Sequence, residues 1–273
     1  YSASHLAHRL LDRGWQVAGT VRTEDKAAQL REQGIAAQVF DRDRPLPDPA
    51  AALAGTTHLL VSVPPDGQGA GDAALDHHAG DIAGLADRLQ WAGYLSTTGV
   101  YGNRDGGWVD ETSELHPTSD RSARRVKAET AWRRLHEDAG VPMHIFRLAG
   151  IYGPGRGPFR SIREGTAKRI DLPEQKFGRI HVEDICQVVE ASIARPNPGA
   201  VYNVSDDEPA APADVTAYAC ELLGVDPPPL VPWAEAYMSA MALTFWQDNK
   251  RVDNARVHDE LGVAFHYPTY REG

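Results

Sequence analysis

The sequence predicts an α/β fold with a doubly wound parallel sheet and a smaller C-terminal lobe. Two observations carry this prediction. Strand-like apolar runs alternate with amphipathic helical segments over the first 150 residues, and parallel strands joined by helical crossovers are the simplest fold that meets such alternation. The chain of 273 residues is also long enough to bury the core of one α/β domain and to add a second lobe.

Hydrophobic periodicity and turn residues define the elements in order. An amphipathic helix over residues 1–14 comes first, and Gly14 closes it. Because strand Trp15–Val21 follows directly, this region has the pattern of a βαβ unit whose first strand has been cut away. Further strands are predicted at Ile35–Phe40, Thr57–Val63, Trp91–Ser96 and Val141–Leu148, and further helices at Glu24–Gln33, Asp72–Leu89, Asp120–Ala139, Val182–Ala194, Ala213–Leu223 and Trp233–Leu243.

Composition excludes some classes of partner. Lys and Arg number 28 against 38 Asp and Glu, so the net charge of −10 provides no basic field for nucleic acid or an anionic membrane. No apolar run approaches the roughly 18–20 residues of a membrane helix. Cys186 and Cys220 lack C-x-x-C spacing and are expected to be buried thiols, which suits a reducing cytoplasm. We therefore expect a cytoplasmic protein without nucleic-acid or membrane partners.

The 11 histidines do not predict a metal site. The pairs His5/His8 and His77/His78 fall on separate helices, without acidic or cysteine residues that would converge on them. Nucleophile elbows, phosphate-binding P-loops and H-E-x-x-H motifs are also missing from the sequence.

Three motifs resemble those of the extended short-chain dehydrogenase/reductases, the epimerase/dehydratase-like superfamily. Leu95–Gly102 is similar to the strand-end signature S-[ST]-x-x-V-Y-G of that family. Arg147–Arg156 resembles R-x-x-x-[VI]-Y-G-P-x, and Phe177–Ile185 resembles [FR]-I-H-V-[DE]-D-[IV]. The resemblance implies a Rossmann-type dinucleotide-binding domain over residues 1–150 and a substrate lobe over 151–273, with residues 177–205 returning to the main domain.

The resemblance also implies catalytic residues. The family's catalytic hydroxyl falls on Thr97, but the Y-x-x-x-K pair that should follow is absent. If Glu129 marks the register, Arg125 takes the lysine position and Arg121 the tyrosine position; taking Lys127 as the lysine instead leaves Ala123 in the tyrosine position. The chain thus resembles the atypical branch of the superfamily.

Another group must then move the proton if the protein is an enzyme. The tyrosines Tyr101 and Tyr152 are the catalytic candidates, and His181 is a third, because histidine titrates near neutrality. In the family, however, the histidine at this position usually packs structurally. Arginine is too weak an acid to replace the tyrosine, so Arg121 and Arg125 are expected to act as electrostatic clamps on the cofactor or an oxyanion.

The expected cofactor is a nicotinamide dinucleotide. If the missing residues end in G-x-G, then Tyr1, Ser2 and Ala3 complete the pyrophosphate-binding turn. Arg22 follows the next strand, where an arginine suits the 2′-phosphate of NADP and an acid suits NAD, so NADP is favoured; a solvated loop arginine is the alternative. The other residues expected to contact the cofactor are Asp41, near the adenine, with Val63, Pro64, Ser96, Leu148, Ala149 and Gly150 at strand ends.

Four residues are candidates for binding a substrate. Trp108 either stacks on a ligand or pins the loop 103–119. Arg156 either grips an anionic group or belongs to a simple glycine-rich turn. His181 and Arg251 are the remaining two, the latter for a phosphate or carboxylate.

Two functions from different classes follow. One is an NADP-dependent oxidoreductase or epimerase-like enzyme acting on a small polar, sugar-linked molecule. The other is an NADP-binding sensor or regulatory protein without turnover, which the missing tyrosine and lysine favour. By analogy with relatives that pair through helices here spanning Asp72–Leu89 and Asp120–Ala139, a homodimer is plausible.

Overall fold

Alternating helices and strands form an α/β structure, described for residues 1–69, 71–238 and 240–273 of a computed structural model. The strands are β1 Ala18–Val21, β2 Ala36–Val39, β3 His58–Val61, β4 Trp91–Thr97, β5 Trp108–Val109, β6 Met143–Leu148, β7 Gly150–Tyr152, β8 Arg169–Asp171, β9 Arg179–His181, β10 Val201–Val204, β11 Leu230–Pro232 and β12 Arg251–Val252. The helices are α1 Ser2–Asp12, α2 Glu24–Glu32, α3 Pro49–Ala52, α4 Ala73–Ala83, α5 Asp120–Ala139, α6 Pro158–Arg163, α7 Val182–Ala194, α8 Pro212–Leu223, α9 Ala240–Trp246 and α10 Ala255–Leu261, with 3₁₀ turns at Thr98–Tyr101 and Trp233–Glu235.

The main sheet is parallel and has the strand order β10-β6-β4-β3. In the β3–β4 pair, His58 lies opposite Trp91 and Val61 opposite Tyr94. Strands β1 and β2 form a separate parallel pair. The predicted α/β class with a parallel, Rossmann-type sheet is therefore confirmed.

The chain divides into two compact units that are interleaved in sequence. The first unit contains Tyr1–Leu95, Lys127–Ile145 and Pro196–Ala200, and the second contains Ser96–Val126, Phe146–Arg195 and Val201–Gly273. Because both units are discontinuous, they do not test the predicted domain boundary at residue 150, which stays a prediction.

The core of the first unit contains polar side chains that are hydrogen-bonded. Trp132 is fully buried, and its indole nitrogen donates a 2.9 Å hydrogen bond to the buried carboxylate of Asp72. His144 stacks on Trp91 with ring centroids 5.6 Å apart. Its Nδ1 bonds the carbonyl of Ala92 and its Nε2 accepts from the amide of Asn197, so the ring is held neutral while burial lowers its pKa.

The core of the second unit packs around aromatic and β-branched residues. Phe146 and Tyr202 stack at 5.9 Å. A separate cluster contains Val100, Tyr101, Val109 and Val252, where β5 and β12 pair in parallel. The thiols of Cys186 and Cys220 are buried and are not joined in a disulfide bond. Among the described residues, no helix has both the length and the apolar character needed to cross a bilayer.

Two predicted helices differ from the observed ones. The helix expected over Asp72–Leu89 ends at Ala83, and His78 interrupts it because its ring is held by the amide of Leu46 and the carboxylate of Asp81. The helix expected over Trp233–Leu243 is a 3₁₀ turn over Trp233–Glu235, followed by α9; Ala236 between them has an extended backbone, and residue 239 lies outside the described residues.

Candidate functional site

Thr97 ends β4 and begins a short 3₁₀ turn. The first six residues of the strand are buried and Thr97 is half-buried, so its side chain comes at the point where the strand leaves the core. Thr97 Oγ1 accepts a 3.2 Å hydrogen bond from the amide of Gly99 and thereby caps the turn. The hydroxyl proton of Thr97 is not used in that bond.

Two serines at the start of α5 extend this hydroxyl group into a cluster. A methyl group placed on Gly99 would lie 3.3 Å from Ser122 Oγ and 3.5 Å from Thr97 Oγ1, so the same side of Gly99 faces both hydroxyls. Ser119 Oγ lies 3.0 Å from Ser122 Oγ and also accepts a 3.2 Å bond from the amide of Ser122. We call Thr97, Ser119 and Ser122 the hydroxyl cluster.

Ser122 is not among the site residues that the sequence predicts. The S-x-x-S spacing at the start of α5 is the available signal, since hydroxyl residues at a helix start bond the amides of its first turn. That spacing predicts a cap, however, and gives no sign that the serine faces Thr97.

The arginines at the positions of the missing pair lie on α5. Arg121 is exposed, and its guanidinium carbon lies 5.7 Å from the ring centroid of Phe245. Arg125 is half-buried.

Tyr101 lies in a buried polar network. It is fully buried, donates a 2.6 Å bond to Asn203 Oδ1 and accepts a 2.9 Å bond from Arg147 Nη1. Burial raises the pKa of the Tyr101 hydroxyl to about 12, because its anion would be poorly solvated there, although Arg147 opposes the rise.

The same network fixes the loop that leads to α5. Glu111 Oε1 accepts a 2.7 Å bond from the amide of Asn203, and the side-chain amide of Asn203 donates to the carbonyl of Asp253 at 3.0 Å. Burial raises the pKa of the Glu111 carboxyl, while its bond from the amide of Asn203 opposes that shift.

Tyr152 and His181 pack against one another with ring centroids 5.2 Å apart. The Tyr152 hydroxyl donates a 3.3 Å bond to the carbonyl of Thr269, and burial raises its pKa. His181 is buried, and its Nδ1 accepts from the amide of Glu183 at 3.3 Å, which caps α7. A ring nitrogen that accepts such a bond is held in its unprotonated form.

The candidate substrate residues of the second unit differ in environment. Trp108 is 62% exposed on β5, although it pairs in register with Arg251 of β12. Arg251 Nη1 donates to the carbonyl of Gly106. Arg156 is exposed, and its Nε donates a 2.9 Å bond to the carbonyl of Ile151. The structure thus brings Trp108 and Arg251 together.

In the first unit, the predicted pyrophosphate-binding residues begin α1. Tyr1 is the N-cap residue and Ser2 and Ala3 are the first two helical residues. Ser2 is 8% exposed, and its buried hydroxyl has no hydrogen-bond partner within the described part of the chain. The first turn contains no acidic residue.

Arg22 and Asp41 are joined through Arg44, a residue that the sequence analysis did not select. Arg44 Nη2 donates a 2.5 Å bond to the carbonyl of Arg22, and Nε donates a 2.9 Å bond to Asp41 Oδ2. Asp41 Oδ1 accepts from the amide of Asp43 at 3.0 Å. The bond from Arg44 is the main cause that lowers the pKa of Asp41.

The remaining predicted cofactor residues lie at strand ends. Val63 is half-buried and Pro64 exposed after β3, while Ser96 is buried near the end of β4. Leu148 and Ala149 are buried and Gly150 is exposed, and the amide of Ala149 bonds the carbonyl of Val204 at 3.0 Å. These placements are compatible with the predicted roles without testing them.

Metal chemistry has no obvious site in the described residues. Over 1–69, 71–238 and 240–273, no three His, Cys, Asp or Glu side chains converge in a way that would hold an ion.

Comparison with known proteins gives three informative matches. Protein YeeZ of Escherichia coli strain K12 is 30% identical over 272 residues, which cover 96% of this chain and 92% of YeeZ. The structure of a conserved protein of unknown function from Silicibacter pomeroyi is 48% identical, with a TM-score of 0.91 over 99% of this chain and 92% of that one. MoeE5, solved in complex with UDP-glucuronic acid and NAD, is 20% identical with a TM-score of 0.77, over 100% and 93% of the two chains. No protein-family model matches the sequence.

Proposed function

Because the chain belongs to the extended short-chain dehydrogenase/reductase superfamily of epimerase/dehydratase-like proteins, we propose that it is an NADP-dependent oxidoreductase or epimerase-like enzyme with a sugar-linked substrate. The observation that carries the cofactor assignment is the bond between Arg44 and the carbonyl of Arg22, which brings two arginines to the end of β1.

Two arginines at this point suit the 2′-phosphate of NADP. Guanidinium groups bind phosphate oxygens in a bidentate manner, and Arg22 has no carboxylate partner among the described residues. Asp41 is the nearby acid that would suit the ribose 2′-hydroxyl of NAD. Both of its oxygens already accept hydrogen bonds, from Arg44 and from the amide of Asp43, which supports NADP over NAD.

The start of α1 fits the pyrophosphate of the same cofactor. A helix N-terminus offers unpaired amides and a positive dipole end, and an acidic residue in the first turn would oppose an anion there. The first turn of α1 has no acidic residue, and the buried hydroxyl of Ser2 is an additional donor. A nicotinamide dinucleotide supplies hydride transfer, and the protein supplies binding and orientation.

The substrate class is proposed from the second unit and from the relatives. MoeE5 was solved with UDP-glucuronic acid, and a nucleotide sugar carries phosphate groups that arginines bind well. Arg156 and Arg251 are the proposed ligands for such anionic groups, with Trp108 as an exposed stacking surface and His181 as a packing residue. Thr97 is proposed to contact the reacting part of the sugar.

A second candidate function is an NADP-binding sensor without turnover. The observation that favours it is Arg121, which takes the place of the family's tyrosine and lies against Phe245. The homodimer also stays a prediction.

Calorimetric titration of the full chain with NADPH and NADH tests the cofactor assignment. NADPH is expected to bind roughly tenfold or more tightly than NADH, because charge-assisted bonds to the 2′-phosphate contribute about 1.5–3 kcal/mol. Arg44→Ala should remove most of that preference. Arg160→Ala is the matched control, since Arg160 is an exposed arginine of α6 that forms an ion pair with Glu164.

A turnover assay then distinguishes the enzyme from the sensor. The NADPH-loaded protein is mixed with keto sugars linked to UDP or dTDP, and the loss of nicotinamide absorbance is followed. Oxidation of NADPH supports an oxidoreductase. An epimerase returns the hydride to its substrate, so the protein loaded with NADP⁺ is also incubated with UDP-linked and dTDP-linked sugars, and the products are separated by chromatography. Tight binding with neither oxidation nor a changed sugar supports the sensor. Failure to bind either dinucleotide contradicts both candidates.

A further inference from the structure

The side chains first considered as replacements for the tyrosine are engaged in other bonds. The Tyr101 hydroxyl joins Asn203 and Arg147 in the core, the Tyr152 hydroxyl bonds the carbonyl of Thr269, and His181 Nδ1 caps a helix. The protons of both tyrosine hydroxyls are committed to these bonds, and the helix cap fixes the ring of His181 in place. The hydroxyl cluster at the start of α5 carries no such restriction.

The hydrogen-bond pattern of the cluster leaves two protons available on one side of Gly99. Thr97 Oγ1 uses a lone pair to accept from the Gly99 amide. Ser122 Oγ uses a lone pair to accept from the Ser119 hydroxyl. A hydroxyl carries one proton and two lone pairs, so both Thr97 and Ser122 retain a proton to donate.

The two hydroxyl oxygens also lie on the same side of Gly99. The direction in which Gly99 would carry a methyl group leads to 3.3 Å from Ser122 Oγ and 3.5 Å from Thr97 Oγ1. Both hydroxyl oxygens therefore lie close to the same position beside Gly99, with the methyl carbon of Thr97 equally near to it. Pre-set donors that converge on one oxygen are the means by which proteins hold a carbonyl or a developing oxyanion.

We propose that Ser122 is the second hydroxyl that binds the reacting oxygen of the substrate, together with Thr97, and so takes over the oxygen-binding role of the missing tyrosine. The inference rests on the proposed function for its substrate class, a nucleotide-linked sugar. Ser119 is a positioning residue, because its hydroxyl donates to Ser122 Oγ and so leaves the Ser122 proton available for the ligand.

Gly99 belongs to the proposal because its lack of a side chain lets Thr97 and Ser122 pack close to the same position. Gly99 has no left-handed backbone conformation, so alanine is tolerated by the main chain. The added methyl group would lie 3.3 Å from Ser122 Oγ, which is tighter than ordinary contact, so the serine hydroxyl would have to shift by a few tenths of an ångström. Gly99→Ala therefore tests the placement of the Ser122 hydroxyl without removing it.

The experiment is calorimetry on the NADPH-saturated full chain, with UDP-glucuronic acid, UDP-glucose, dTDP-glucose and UDP as probes. The three sugar nucleotides carry the proposed ligand oxygen, whereas UDP lacks it. Ser122→Ala is expected to weaken the best-bound sugar nucleotide roughly tenfold and to leave UDP unchanged, because one hydrogen bond is lost. Gly99→Ala should weaken it at least as much.

Matched controls distinguish the loss of a contact to the ligand oxygen from a general disturbance of the fold. Ser161→Ala removes a serine hydroxyl that bonds the carbonyl of Pro158, and Gly80→Ala adds a methyl group that meets no atom within 4 Å. Neither should change sugar-nucleotide binding. NADPH affinity, measured in the same titrations, should be unchanged in Ser122→Ala.

The outcomes decide between the two proposals. Equal loss of UDP and of the sugar nucleotide in Ser122→Ala, or no loss of either, overturns the role of Ser122. A parent protein that binds NADPH but none of the three sugar nucleotides also overturns it, while leaving the cofactor assignment intact. A parent protein that fails to bind NADPH contradicts the proposed function itself.

Discussion

Arg147 and Tyr101 are joined twice in the core of the second unit. The guanidinium carbon of Arg147 lies 4.9 Å from the ring centroid of Tyr101, and its Nη1 donates a 2.9 Å hydrogen bond to the tyrosine hydroxyl. A charged group this deeply buried needs both kinds of contact to offset its lost hydration. The hydroxyl of Tyr101 is therefore expected to have a structural role.

Tyr101→Phe tests that role. The variant keeps the ring but removes a hydroxyl partner from both Arg147 and Asn203, so the free energy of unfolding should fall by about 1–3 kcal/mol. Urea denaturation measures the change, with Tyr237→Phe, at an 85% exposed tyrosine, as control. Unchanged stability with lost turnover would instead support the predicted catalytic role of Tyr101.

Arg22→Asp should reverse the cofactor preference. The substitution places a carboxylate beside the proposed 2′-phosphate, where it repels NADPH and accepts from the ribose hydroxyl of NADH. We expect NADPH affinity to fall roughly tenfold or more while NADH affinity falls less. Equal losses for the two dinucleotides in calorimetry would sink the assignment of Arg22 to the phosphate.

Gly102 is the last residue of the motif Leu95–Gly102, and alanine should not fit there. Its backbone has φ 67°, and a methyl group would collide with the carbonyl oxygen of His116. We expect Gly102→Ala to cost more than about 3 kcal/mol of stability. Gly224→Ala is the matched control, because Gly224 has φ 66° and no atom within 4 Å of the added group; it should cost about 1–2 kcal/mol. Similar losses in both variants would contradict the collision.

Asp206 should make stability depend on pH. It is 1% exposed, its Oδ1 accepts from the amide of Arg179, and its Oδ2 has no partner among the described residues. Burial raises the pKa of its carboxyl from 3.8 to about 7, although Arg179 opposes the rise. Between these two values the folded protein holds a proton that the unfolded chain has released.

This group's contribution to the free energy of unfolding therefore decreases as pH rises from about 4 to about 7, by up to about 1.4 kcal/mol per unit. Asp206→Asn should abolish that decrease, so the variant gains stability relative to the parent as pH rises through this window. Urea denaturation at a series of pH values measures the difference. Asp226→Asn, on the surface, is the control, and parallel pH profiles for parent and Asp206→Asn would refute the prediction.

The sequence predicted most of the fold because the signals were local. The apolar run of β4 and the one-sided apolar pattern of α1 are readable in single segments. The site was predicted less completely, because the roles of Ser122 and Arg44 depend on contacts with residues that are distant in sequence. Ser122 faces Thr97 across Gly99, and no periodicity reports such an approach.

The same limit applies to elements with side-chain partners far away in the chain. The kink at His78 depends on the amide of Leu46, and the burial of Tyr101 depends on Asn203. The motif around Tyr101 gave no sign of a core position, since a tyrosine at a strand end serves equally well in a site. The predicted catalytic role of Tyr101 is therefore a hypothesis that mutation can test.

Asn203 also determines when the network forms during folding. It bonds Tyr101, Glu111 and Asp253, at sequence separations of 102, 92 and 50 residues. Closing such long loops costs entropy before any bond forms, so these contacts are expected to assemble after the folding barrier has been crossed. Weakening the network should then accelerate unfolding and leave the refolding rate almost unchanged, which makes Asn203 a determinant of the native-state lifetime.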